Sequence, residues 1–353
     1  MFWLRCIGCL AVTLGHAFYS GYIVFYENTL YHSATYVLYM MMLFGMPVFV
    51  FLSEFLLANK YSNTLPKGFM KKRVKILLLP FLFMNVVYVI LYLEIWTIQN
   101  FTISLLENVF LGKSSVYFIL IIFQFYLLHK FFSKYLDVMS PKLIIPTAFL
   151  INFVYLAFFN FNLLEPPNNN FASYFWHIGY RVPFVGWLFY FVLGYYSAKS
   201  YHKILSKLSF KWLAVIAFCS FIVIFINNST FQLQYISQRL DMLLYAGSMI
   251  FLIIYFSNRI RNVPKVVVMI SNYSFNIYLL NVLFITLFRY IEPPPFFNLL
   301  TYSFAVFLLT IFFSILTGYL FNRFKLGPYL VGRVMPFKVE SRVGKKGIKK
   351  LAM

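Results

Sequence analysis

The chain is a succession of apolar runs, and that succession restricts its fold more than any motif does. About ten runs approach or reach the ~20 residues that a helix needs to cross a bilayer. They cover 2–23, 36–57, 74–95, 115–132, 143–161, 182–198, 212–226, 240–256, 266–288 and 299–321. In hydrocarbon every backbone polar group must find a partner within its own structure, so runs of this length read as transmembrane helices. The expected fold is all-α, a polytopic bundle of about ten transmembrane helices. Composition agrees, since 62% of the 353 residues are hydrophobic and only 11% are charged.

Charge placement orients the bundle. Of the 30 Lys and Arg residues, 25 fall in alternate connections: 58–75, 130–142, 199–211, 259–265 and the tail after Phe321. The intervening connections hold Lys113, Arg181, Arg239 and Arg289, together with acidic residues such as Glu27, Glu94, Glu107, Glu165, Asp241 and Glu292. Positive charge marks the cytoplasmic side, so both termini are expected there. A formal charge of +21 would by itself suit nucleic acid. These charges sit between apolar runs rather than along a stacking platform, so nucleic acid is not expected as a partner. The chain divides into a membrane domain, 1–322, and a basic cytoplasmic tail, 323–353, whose charge density suits contact with anionic membrane lipids.

The first run raises a signal peptide, with Arg5 as its basic region. It continues to about Ile23 without a small-residue cleavage site, which favours a retained span. Cys6, Cys9 and Cys219 lie in apolar runs without metal or disulfide spacing, and no metal is expected. Nor is there a zinc constellation, a G-x-S-x-G elbow or a phosphate-binding loop. No Gly/Pro-broken pair of spans in matching halves is evident, which disfavours a transporter.

Ionisable residues within spans are costly and mark functional sites. Arg5 and His16 are eleven residues apart in the first run. At about 100° and 1.5 Å per residue they share one helix face, with a separation of roughly 16 Å. His16, toward the outer side, has the chemistry of a general base toward a hydroxyl, or of a packing histidine bonded to a neighbouring helix. Arg5, near the cytoplasmic end, either snorkels or holds an anionic group of a ligand. Glu54 lies at a similar depth in the next span, so an Arg5–Glu54 ion pair is expected. Lys71, Lys72, Arg73 and Lys75 gather at the mouth of the third span, a patch that would meet a polyanion. Asn85, Gln124, Asn152, Asn276 and Asn281 read as interhelical hydrogen-bond partners. His177 and Arg181 read as outer interfacial anchors or as groups that meet an extracytoplasmic acceptor, and His32, His129 and His202 as residues at the membrane edges.

The pattern Arg5-x10-His16 resembles the signature of the acyltransferase family 3 membrane proteins. "FGMPVFVFLSEFLL", "FMKKRVKILLLPF", "VGWLFYFVLGYY" and "SNYSFNIYLLNVLFI" are similar to four further segments of that family, and follow in its order. Three positions depart from the pattern: Glu54 replaces a glycine, Asn281 a histidine, and Ser115-Val116-Tyr117-Phe118 a His-Leu-Trp-Phe segment. Within the family the pattern is most similar to the proteins encoded beside biofilm poly-N-acetylglucosamine synthases, regarded as O-succinyltransferases or as exporters.

The resemblance implies a bacterial cell-membrane enzyme that moves an acetyl or succinyl group from acyl-coenzyme A to a sugar hydroxyl. The acceptor would be a surface glycan or a lipid-linked sugar, with a polysaccharide synthase as a further partner. His16 and Arg5 would be its catalytic residues. Arg73, Lys72 and Lys75 would bind the donor, and Glu54 would support Arg5. The rivals are a polysaccharide exporter or flippase, and a scaffold for a synthase.

Overall fold

The computed structural model describes residues 1–334 except 27–31, 62, 63, 167, 232 and 235. Among these residues every regular element is helical. The helices are α1 (Phe2–Val24), α2 (His32–Met42), α3 (Gly45–Lys60), α4 (Phe69–Arg73), α5 (Leu79–Tyr92), α6 (Ile98–Phe110), α7 (Phe118–Val138) and α8 (Pro141–Asn160). They continue with α9 (Asn170–His177), α10 (Leu188–Lys199), α11 (Tyr201–Lys207), α12 (Phe210–Phe231), α13 (Met242–Ser257), α14 (Lys265–Arg289), α15 (Leu299–Phe321) and α16 (Gly327–Leu330).

Among the described residues, eight helical stretches are long and apolar enough to cross a membrane, and α13 is a shorter apolar helix. The remaining expected span, 182–198, is the short helix α10 preceded by two 3₁₀ turns, Gly179–Arg181 and Phe184–Trp187. The chain is thus an all-α polytopic membrane bundle. The span formed by residues 33–60 is the most enclosed, whereas α8 and α12 turn most of their surface outward to lipid.

Small residues let the central helices touch. A Cβ on Gly45 would lie 2.9 Å from the Gly8 carbonyl oxygen of α1, and one on Gly194 of α10 would lie 2.6 Å from the Phe51 carbonyl oxygen of α3. Lipid tails are as apolar as the side chains, so helices associate through close packing rather than hydrophobic burial alone.

Two spans are interrupted, which corrects the expectation of unbroken helices. The second breaks at Leu43–Phe44, between α2 and α3. Pro47 explains the break: it has no N–H for the Leu43 carbonyl, and its ring crowds that oxygen. The freed carbonyl accepts instead from Ser237 Oγ at 2.8 Å, and the Met41 carbonyl accepts from the Tyr245 hydroxyl at 3.0 Å. The sixth span is interrupted over residues 179–187. There Gln124 of α7 donates to the Val182 carbonyl at 2.9 Å and accepts from the Phe184 N–H at 2.9 Å. Asn152 of α8 accepts from the Phe189 N–H at 3.2 Å. Gln124 and Asn152 therefore do bond between elements as expected. Asn85, by contrast, donates to the Phe81 carbonyl of its own helix.

The segment 323–334, assigned to the tail by charge, returns to the bundle. Asn276 of α14 donates to the carbonyls of Val331 and Gly332 at 2.8 and 2.9 Å, and Asn322 donates to Gly332 at 3.0 Å. Val331 is buried, and α16 packs against α5. The tail beyond Val334, with Lys338 and the basic residues after it, lies outside the described residues, as does Glu27.

Candidate active site

His16 lines a cavity of about 330 Å³ beside the middle and C-terminal half of α1. Its walls come from six places in the chain: α1, the α2–α3 break, the 112–117 connection, the interrupted sixth span, the loop after α12, and α14. Irregular backbone is tolerated at membrane depth where it lines such a space, and both helix interruptions border this one. The volume lies at the lower end of the ~300–1,000 Å³ range of small-molecule sites.

The His16 ring makes no hydrogen bond to any described side chain or backbone group, unlike a packing histidine. It is half-buried in the cavity wall. Tyr39, Ser115, Tyr117, Gln238, Tyr278 and Asn281 supply further polar groups. Gln238 donates to the Tyr117 hydroxyl, and the Tyr278 hydroxyl donates to the Ser115 carbonyl at 3.3 Å. The departures at Ser115, Tyr117 and Asn281 thus gather around His16. A second cavity of about 420 Å³ lies beside the first and shares Lys113, Ser114 and Ser115 with it.

Arg181, read as an anchor or as an acceptor contact, lines the His16 cavity. His177 is exposed, as an interfacial residue would be.

Arg5 is half-buried in the first turn of α1 and does not line the His16 cavity. It lies within electrostatic reach of Arg73. Arg73 is half-buried, with its guanidinium 4.9 Å from the Phe69 ring centroid and 5.5 Å from that of Tyr126. Lys72 and Lys75 are exposed beside it. A π-helical turn over Val74–Leu78 follows directly, a distortion frequent at functional sites. The expected donor cluster therefore separates into an inward Arg73, within reach of Arg5, and outward lysines, Lys72 and Lys75.

The expected Arg5–Glu54 pair does not form. Glu54 is fully buried and its Oε1 lies 2.7 Å from Nδ1 of His129, which is equally buried. Nε2 of His129 lies 2.7 Å from the Tyr61 carbonyl oxygen. A carbonyl only accepts, so Nε2 carries a proton and the Nδ1–Oε1 contact holds one more. His129 is fully buried between helices, where it pairs with Glu54. Its missed role lies in pairing across 75 residues, which no local pattern displays. The Tyr61 ring meets Phe69 edge-on at 5.6 Å, so the pair supports the platform under Arg73.

These features define a polytopic membrane protein with a histidine in a polar cavity and arginines gathered near the start of α1. The chain matches the family model described as "Acyltransferase domain" over residues 2–335, and so belongs to acyltransferase family 3, as a membrane acyltransferase. It is 35% identical to "Putative membrane-bound acyltransferase YfiQ" of Bacillus subtilis (strain 168), over 95% of this chain and 94% of that protein. It is 26% identical to a "Probable poly-beta-1,6-N-acetyl-D-glucosamine export protein" of Staphylococcus aureus (strain Mu50 / ATCC 700699), over 82% and 83% of the two chains. A protein of the same name from Staphylococcus epidermidis is 28% identical over 70% of each chain. No solved structure matches the chain.

Proposed function

We propose that the protein moves an acetyl or succinyl group from a cytoplasmic acyl-coenzyme A to a hydroxyl of a cell-surface polysaccharide or lipid-linked sugar, in a bacterial cell membrane. One observation carries the reading. Among the groups that line the cavity, His16 alone has a side chain suited to general-base work near neutral pH. Its ring nitrogens are not engaged by the surrounding protein. His16 would take the proton of the acceptor hydroxyl as its oxygen attacks the thioester carbonyl. The carbon–sulfur bond then breaks, and the departing thiolate of coenzyme A takes up the proton.

Arg5 and Arg73 would hold the donor's phosphates at the inner mouth, with Lys72 and Lys75 adding an attractive field. The separation of roughly 16 Å along α1 between Arg5 and His16 suits an extended donor arm reaching through the bundle. The test is the acyl content of surface glycan in cells that carry His16→Ala or Arg5→Ala at normal protein level. Both are expected to fall to the level of a deletion strain, and unchanged acylation in both overturns the assignment.

The interrupted spans support a second reading, export of a polysaccharide, because broken helices around a central cavity are a transporter feature. In that case His16→Ala would stop secretion of the polymer and leave the acyl content of each secreted chain unchanged.

A further inference from the structure

We propose that Arg181 forms an anion subsite in the His16 cavity, so that the ligand meeting His16 there carries a carboxylate or a phosphate. Two basic side chains line this cavity, Lys113 and Arg181. They differ in how their charge is met. Lys113 is neutralised by Glu107, Nζ to Oε2 at 2.6 Å. Arg181 pairs with no carboxylate among the described residues. Its one side-chain hydrogen bond runs from an Nη to the Gln234 Oε1 at 2.5 Å, which is a neutral acceptor. The Nε of the same guanidinium is buried and donates to nothing.

Tyr39, Tyr117, Tyr174 and Tyr180 lie within the electrostatic reach of Arg181 and are neutral. Glu107, which also acts on Tyr174, is already taken by Lys113. Its guanidinium sits 5.9 Å from the Tyr180 ring centroid. These contacts orient the group without cancelling its charge. The position is also held from behind, because the Trp187 indole N–H donates to the Arg181 carbonyl at 2.8 Å and Trp187 is fully buried.

A guanidinium held at the edge of a low-dielectric bundle, with an unused donor and no counter-ion, suits a planar oxyanion. A neutral sugar would leave that charge uncompensated once water is displaced. The anion has two possible sources, a charged group on the acceptor or a terminal carboxylate on the transferred acyl chain. The inference rests on the acyl-transfer reading only for what the ligand undergoes there, and not for its charge.

The experiment uses the full chain in lipid nanodiscs. Binding of glucose, glucuronate and glucose 6-phosphate is measured by saturation-transfer NMR. Turnover of acetyl- and succinyl-coenzyme A is followed by thiol release. Loss of one charge-assisted pair corresponds to about tenfold in affinity. If the acceptor carries the anion, glucuronate or glucose 6-phosphate binds about tenfold more tightly than glucose. That preference disappears in Arg181→Gln and survives in Arg181→Lys. If the acyl chain carries it, the sugars bind alike, but succinyl-coenzyme A is preferred over acetyl-coenzyme A, and Arg181→Gln removes that preference. No charge preference in either arm, or one that persists in Arg181→Gln, overturns the proposal. Arg181→Lys guards against a fold defect, because it keeps the charge. His16→Ala separates the two readings. It should stop thioester turnover without altering sugar preference, and intact turnover would overturn acyl transfer while leaving the sugar arm to decide the subsite.

Discussion

Gly194 shows how one missing side chain sets the spacing of the central helices. A Cβ there would meet backbone on α3, the Phe51 carbonyl oxygen at 2.6 Å and the Phe55 nitrogen at 3.2 Å. Backbone cannot rotate away as a flexible side chain can. Gly194→Ala is therefore expected to destabilise the protein by about 1–3 kcal/mol through overpacking. Thermal unfolding in nanodiscs would register this as a lowered midpoint, and an unchanged midpoint would show that α3 and α10 separate freely. At this scale spacing alone put Arg5 and His16 on one helix face, and of the two only His16 lines the cavity. For Arg181 the sequence left two roles open, an anchor and an acceptor contact, because a place beside the sixth span suits both. The fold of residues 179–187 turns it into the cavity wall.

The buried Glu54–His129 pair joins α3 to α7 and, through the Tyr61 carbonyl, to the chain that leads into α4. His129→Ala would strand the Glu54 carboxyl in the bundle, with an expected loss of about 3–5 kcal/mol. Replacing both residues by leucine removes the stranded group along with its partner and should recover most of that stability. The comparison of single and double variants, again by thermal unfolding, separates a pairing role from simple loss of volume. Most helices of this bundle follow from hydropathy, because bilayer thickness sets a length that sequence displays directly. The breaks did not. Pro47 was visible, but a proline in an apolar run kinks or ends a helix according to what can catch the freed carbonyl. Here Ser237 does so from a loop almost two hundred residues away. The amphipathic α6 was not legible either, since its 13 residues are too few to span and carry no long apolar run. The ion pair expected between Arg5 and Glu54 failed for a related reason. Equal depth on neighbouring spans does not say which faces meet.

Across the whole molecule, the two ends of the described chain close the same bundle. α1 is packed against α3, α14 and α15, while the segment after α15 returns to α5 and α14. Asn276 ties that return with two hydrogen bonds to successive carbonyls. Asn276→Ala should therefore expose residues 323–334 to limited proteolysis from the cytoplasmic side while the spans stay protected. Equal cleavage in the variant and the parent would show that packing of Val331 alone holds the segment. The charge pattern assigned residues from 323 on to a basic tail suited to anionic lipid, because it counts lysines and arginines and is blind to Val331 and Gly332. Those two uncharged residues do the docking, with Gly332 at φ +91°, a conformation that suits glycine.

The same return bears on how the protein is made. Ribosomes deliver chains from the N-terminus, so α5 and α14 enter the membrane before the segment that seals them exists. Until Val331 and Gly332 arrive, the Asn276 amide lacks both of its carbonyl partners and the bundle keeps one seam open.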